Sequence, residues 1–113
     1  MDEMIRAGVI GLGAMGAPMA RHLAQAGLLR MLWNRTTDRA EVLANETGAS
    51  VASEPEQLAA NCNVILTCVS ADQDLLDVVE QLLPGVKAGS VLVDTSTVSP
   101  ATANRVAGSL QKA

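Results

Sequence analysis

Short apolar runs alternate with helical patterns along the whole chain. Residues 5–10, 30–34, 50–52, 64–68 and 91–94 read as five strands. Val64-Ile65-Leu66-Thr67-Cys68 and Val91-Leu92-Val93 are continuous rather than alternating, the pattern of parallel strands covered on both faces. Met15, Met19, Leu23 and Ala26 fall at helical spacing and mark one face of a first helix, and Gly27 fits the position just past its end. Pro18 is tolerable there because it lies near the start, before the amide ladder is established. Ser53-Glu54-Pro55-Glu56 and Ser70-Ala71-Asp72-Gln73 have capping-box spacing and predict helices over about 54–60 and 71–82. Pro84-Gly85 and Lys87-Ala88-Gly89 are loop signals, and Ser99-Pro100 opens a last helix. Five strands alternating with five helices predict an α/β fold, a doubly wound parallel sheet most simply ordered 3-2-1-4-5.

Composition narrows the classes. At 113 residues the chain is one domain of ordinary size, and no repeat, low-complexity tract or linker divides it. Hydrophobic residues make up 49%, yet there is one Trp and no Phe or Tyr, so the core must be aliphatic. A net charge of −4, no basic stripe and no stacking aromatics argue against nucleic-acid binding. No apolar run approaches the roughly 18 residues of a membrane span. Met1-Asp2-Glu3 is acidic and opens no secretory leader. Cys62 and Cys68 lack metal-ligand spacing, so no metal site is expected; they read as an incidental thiol at Cys62 and a buried one at Cys68. Two free thiols fit a reducing compartment, and the expected location is cytoplasmic.

The chemistry starts at Val9-Ile10-Gly11-Leu12-Gly13-Ala14-Met15-Gly16. Gly11 suits a tight exit from the strand, Gly13 a place where a side chain would strike a pyrophosphate, and Gly16 a close contact of helix with strand. An anion would sit on the positive end of the helix beginning near Ala14. The motif follows an apolar strand and opens an amphipathic helix, the context of a Rossmann-type dinucleotide site. An acidic chain can still hold an anionic cofactor, because a helix terminus and one Arg act locally.

The end of the second strand decides the nucleotide. NAD enzymes usually place Asp or Glu there to hold the ribose hydroxyls. This chain has Asn34-Arg35-Thr36. A carboxylate would repel a 2′-phosphate, whereas Arg35 can pair with it, a charge-assisted contact of roughly 1.5–3 kcal/mol. The expected cofactor is NADP(H) in preference to NAD(H). A plainer alternative leaves Arg35 exposed in a loop, with Thr36 or Thr37 capping the next helix.

Asp94-Thr95-Ser96-Thr97-Val98-Ser99-Pro100 follows the fifth strand, at a strand end where open parallel sheets bind ligands. With Gly11-Leu12-Gly13-Ala14-Met15-Gly16, Pro18-Met19-Ala20 and Asn34-Arg35-Thr36, this run resembles the β-hydroxyacid dehydrogenase family over essentially the whole chain. That family includes 3-hydroxyisobutyrate dehydrogenase, tartronate semialdehyde reductase and glyoxylate/succinic semialdehyde reductases. The resemblance implies hydride transfer between NAD(P) and a short β-hydroxyacid or its semialdehyde. It places Val69 and Ser70 beside the cofactor, Ser96 at the substrate and Thr97 on the nicotinamide side. Two departures stand out: Val69-Ser70 replaces the family's frequent Leu-Pro, and no Lys matches its catalytic motif. Lys87, Lys112 and His22 read as surface or structural residues, so no catalytic residue is assigned here.

The resemblance also implies that residues 1–113 are the front of a larger enzyme, truncated before a further strand. The catalytic Lys and a helical C-terminal domain would lie beyond Ala113, and the whole enzyme would be a homo-oligomer. This piece alone would bind cofactor weakly and turn nothing over. Three alternatives remain: an imine reductase, a 6-phosphogluconate dehydrogenase-like enzyme, and a non-catalytic cofactor-binding scaffold.

Overall fold

A computed structural model of the chain describes residues 5–69 and 72–94. Its elements run β1 (Ala7–Ile10), α1 (Gly16–Gln25), β2 (Leu29–Trp33), α2 (Thr37–Thr47), β3 (Ser50–Val51), α3 (Pro55–Asn61), β4 (Val64–Thr67), α4 (Asp72–Leu82), a 3-10 turn at Leu83–Gly85 and β5 (Val91–Asp94). All strand pairs are parallel, and the order is β3-β2-β1-β4-β5, as the alternating pattern predicts. The predicted helix opening at Ser99-Pro100 lies outside the described residues.

The core has two halves because successive residues of a strand point to opposite faces. Val9 and Leu32 pack with Ala20, Ala40 and Leu43 from α1 and α2. Their neighbours Ile10, Met31 and Ile65 pack with Leu58, Ala59, Val78 and Leu82 from α3 and α4. Burial on both faces explains the continuous apolar runs of the central strands. At β5 the expectation of double coverage is not met: Leu92 packs inward, while Val91 and Val93 are 53% and 40% exposed.

Two local readings need correction. The buried face of α1 is centred on Gly16 and Ala20, whereas Met15 is exposed, as is Ala26. The helical period is right and its phase is off by one position. Glycine and alanine occupy the line of closest approach to the sheet, and a search for bulky apolar residues passes over them. At α3, Ser53 does not cap through Glu56. Pro55 takes the first helical position and makes Glu54 the N-cap residue. The Ser53 amide and hydroxyl both donate to Gln57 Oε1, at 2.7 and 2.9 Å, so the side-chain partner is one residue further on. The predicted box at Ser70 lies outside the described residues.

The end of α1 conforms to its sequence signal. Gly27 has φ +75° and its N–H donates to Ala24 O at 3.0 Å, while Leu28 N–H donates to Leu23 O at 2.9 Å. This paired closure satisfies two last-turn carbonyls and sends the chain into β2.

The cysteine reading is reversed. Cys62 is the buried thiol, in the cluster with Ile10 and Leu58, and Cys68 is only half-buried. Loss of water around Cys62 pushes its thiol up from 9.0 to about 11, against the smaller opposing pull of Arg30 and Arg6. No disulfide joins the two residues.

Candidate cofactor-binding site

Strands β1, β2 and β4 all deliver their C-terminal ends to one edge of the sheet. The chain leaves β1 toward β2 on one side and reaches β4 on the other, so this edge contains the reversal of strand order. A cleft of about 400 Å³ opens there. Gly11, Leu12, Gly13, Ala14 and Met15 form its floor, Trp33, Asn34, Arg35 and Arg39 one side, and Cys68, Val69, Asp74 and Val78 the other.

Backbone sterics fix the floor. Gly11 has φ +91°, and a Cβ there would collide with the Cys68 carbonyl. A Cβ on Gly16 would collide with the Gly11 carbonyl. These two glycines let β1, α1 and the end of β4 close on one another. Gly13 differs: the nearest atom to its Cβ position is Arg39 Nη1 at 3.9 Å. The fold itself would accept a methyl group there, so the open space lies on the ligand side of the turn. That is where a pyrophosphate would need it.

The start of α1 is suited to an anion. Met15 holds the N-cap position without a side-chain cap, and the first turn contains no acidic residue. The first amides of a helix lack intrahelical acceptors and carry its positive partial charge. Pro18, third in the helix, stands between Ala17 and Met19, whose N–H groups donate to Gly13 O at 3.2 Å and Met15 O at 3.3 Å, so its missing N–H removes one donor from the first turn.

Asn34 locks the floor to the wall. Its Oδ1 accepts the Leu12 N–H at 2.8 Å, and its Nδ2 donates to Thr36 Oγ1 at 2.8 Å and Thr36 O at 3.1 Å. The Gly11 N–H donates to Trp33 O at 3.0 Å, and Cys68 N–H donates to Ile10 O at 2.8 Å. Asn34 is thus a brace between the glycine turn and the end of β2. Thr36 occupies the N-cap position of α2, but its hydroxyl serves Asn34 rather than the helix.

Arg35 stands at the outer end of the cleft, 66% exposed, with Nη2 2.6 Å from Asp74 Oδ1. Arg39 sits one helical turn further along, in the first turn of α2, and its guanidinium faces the same cleft. Sequence reading missed both partners. The spacing of four between Arg35 and Arg39 was an available signal. Asp74 had none, because it comes from the other side of the strand reversal, 39 residues away.

The proposed cofactor residues Gly11, Leu12, Gly13, Ala14, Met15, Asn34, Arg35 and Val69 therefore converge on one cleft. Gly16 supports it from below, and Thr36 acts through Asn34. Ser70, Ser96 and Thr97 lie outside the described residues. Thr67 Oγ1 donates to Asp94 Oδ1 at 3.0 Å, which ties the ends of β4 and β5 just before the predicted substrate turn. Among the described residues there is no cluster of His, Cys, Asp and Glu able to hold a metal ion, and no helix long and apolar enough to cross a membrane.

Comparison with known proteins agrees with this geometry. Residues 6–113 match the family described as the NAD binding domain of 6-phosphogluconate dehydrogenase. The mitochondrial 3-hydroxyisobutyrate dehydrogenase of Mus musculus is 33% identical over 108 residues, covering 93% of this chain and 32% of that protein. The solved imine reductase from Pseudomonas sp. superposes with TM-score 0.86 at 34% identity, covering 97% of this chain and 38% of that one. An imine reductase from Myxococcus stipitatus in complex with NADP+ gives TM-score 0.84 at 25% identity, covering 95% and 37%. The chain thus spans between 32% and 38% of the length of these proteins. Its five-stranded sheet, glycine turn and family match agree, and the chain belongs to the 6-phosphogluconate dehydrogenase NAD-binding family, with 3-hydroxyisobutyrate dehydrogenase among its relatives.

Proposed function

We propose that this chain is the NADP(H)-binding part of an oxidoreductase that interconverts a short β-hydroxyacid and its semialdehyde or aldehyde. The observation that carries the reading is the vacant space over Gly13, in a cleft whose outer end presents Arg35 and Arg39. The residues fit the nucleotide in three places. The uncapped start of α1 receives the pyrophosphate. Arg35 and Arg39 face the adenosine ribose, where no acidic residue closes β2. Val69 and Val78 give the cleft an apolar wall on the α4 side.

The turn of residues 11–15 and Arg35 would hold the nucleotide, which would supply hydride chemistry toward a short carbonyl compound. The chain's own residues bind and orient. Asn34 holds the Leu12 amide in register, and Val69 and Val78 offer an apolar face to a bound nucleotide. Ser96 is assigned to the substrate and Thr97 to the nicotinamide side. No Lys or His lines the cleft among the described residues, so proton transfer belongs to groups outside them. A Lys beyond Ala113 is the expected donor.

Preference for NADP(H) rests on the two guanidiniums and is supported by the NADP+ complex of the Myxococcus stipitatus enzyme. The likeness to an imine reductase favours one second reading, in which the acceptor is a C=N bond. A homo-oligomer in the cytoplasm is the proposed setting of the whole protein. The absence of a disulfide between Cys62 and Cys68 suits any reducing compartment. The test is turnover by the intact protein with NADPH against short semialdehydes and cyclic imines. Oxidation of NADPH with semialdehydes supports the proposal; activity confined to imines replaces it with the second reading, and activity with neither rejects both.

A further inference from the structure

Arg35 is not waiting alone for a phosphate. Its Nη2 lies 2.6 Å from Asp74 Oδ1, and both side chains line the cleft. Asp74 belongs to the first turn of α4, which approaches the ribose end from across the strand reversal. The next acidic residues on that helix, Asp77 and Glu80, share an adjoining hollow with Arg35 and Trp33. Gln73 Nε2 donates to Asp77 Oδ1 at 2.8 Å, whereas Asp74 turns toward the guanidinium. The α4 side of the ribose end is therefore acidic, facing the basic side formed by Arg35 and Arg39.

A nucleotide with a 2′-phosphate brings to Arg35 the same kind of charge that Asp74 already provides. It must displace Asp74 or share the guanidinium with a carboxylate that repels it. A nucleotide with a free 2′-hydroxyl incurs neither cost. We propose that Asp74 is a specificity-determining residue: its carboxylate competes with the 2′-phosphate for Arg35 and lowers the preference for NADP(H) over NAD(H). The inference rests on the NADP(H) reading above. Arg35 is 66% exposed and Asp74 29%, so water screens the pair from the guanidinium side and the competition is modest, about two- to fivefold in affinity.

The probes are the two adenosine fragments that differ only at this position, 2′,5′-ADP and 5′-AMP, titrated calorimetrically against the 113-residue chain. Asp74→Asn should tighten 2′,5′-ADP about two- to fivefold, change 5′-AMP less, and lose most of its gain at high salt. In an Arg35→Gln background the same substitution should gain nothing. If Asp74→Asn loses the thermal transition of the parent, Asp74→Ser serves in its place. Should Asp74→Asn leave 2′,5′-ADP binding unchanged or weaker while Arg35→Gln still weakens it, Asp74 orients the guanidinium rather than competing; the proposal fails and the NADP(H) reading stands. A parent chain that binds both fragments equally, with Arg35→Gln unchanged, overturns both.

Discussion

At the glycine end the cleft is walled by backbone: a side chain on Gly11 would strike the Cys68 carbonyl and one on Gly16 the Gly11 carbonyl, and Asn34 ties the Leu12 amide to β2. At the ribose end it is walled by long charged side chains, Arg35, Arg39 and Asp74, and Arg35 is 66% exposed. Main-chain geometry closed by burial has one arrangement, so the first end is a fixed receptor for any dinucleotide. Exposed ion pairs can be exchanged for small free energies, so the second end is where one nucleotide is chosen over another. General affinity and discrimination are thereby separated along the cleft.

The largest expected effect breaks the fixed end outright. Gly16→Val should abolish the cooperative thermal transition, since the new side chain must push α1 away from β1, a cost of about 3 kcal/mol or more. Gly13→Ala sharpens the contrast. Its methyl group meets only open space in the protein, so the thermal midpoint should stay within about two degrees of the parent. Binding of NADPH and NADH should fall together, by about tenfold or more. Equal loss of stability in the two variants would show that the space over Gly13 is not reserved for a ligand.

A pH effect should follow from the buried Cys62 thiol, which lies at the N-terminal edge of the sheet, away from the cleft. Because the folded Cys62 titrates near 11 rather than 9.0, folding stability should be unaffected by this group below pH 9. It should then be lost as pH rises through 9 to 11, by an amount of order 2 kcal/mol, read from urea midpoints. Alkylation should distinguish the cysteines: Cys68, on the cleft, reacts first and is protected by NADPH, while Cys62 reacts at the rate of unfolding.

Asn34→Ala should cost about 1–2 kcal/mol of stability by orphaning the Leu12 amide, and weaken both nucleotides alike. The smallest effects belong to the ribose end. Arg35→Gln should weaken NADPH several-fold and leave NADH near its parent affinity. If Asn34→Ala shifted the ratio between the nucleotides instead, the division between the two ends would be wrong.

How much of this could be read in advance follows the same division. The strands were legible because their apolar runs are dictated by burial on two faces, and the Gly11–Gly16 turn because its geometry demands specific residues in fixed order. Helix α1 was read one position out of phase because Gly16 and Ala20 leave no hydrophobic signature where they pack closest. Cys62 and Cys68 were exchanged because both flank an apolar strand, and only the packing of α3 decides which is covered. Arg39 could have been found from its place one turn beyond Arg35. Asp74 could not, because strand order and helix length together bring it to the guanidinium.

The most direct test is a titration of the chain with NADPH and with NADH, followed by the emission of Trp33, its single tryptophan, which lines the cleft. Saturable changes with both nucleotides, NADPH being the tighter and losing that advantage in Arg35→Asp, are the predicted result. No saturable response to either nucleotide, or equal affinities that Arg35→Asp leaves equal, would contradict the account.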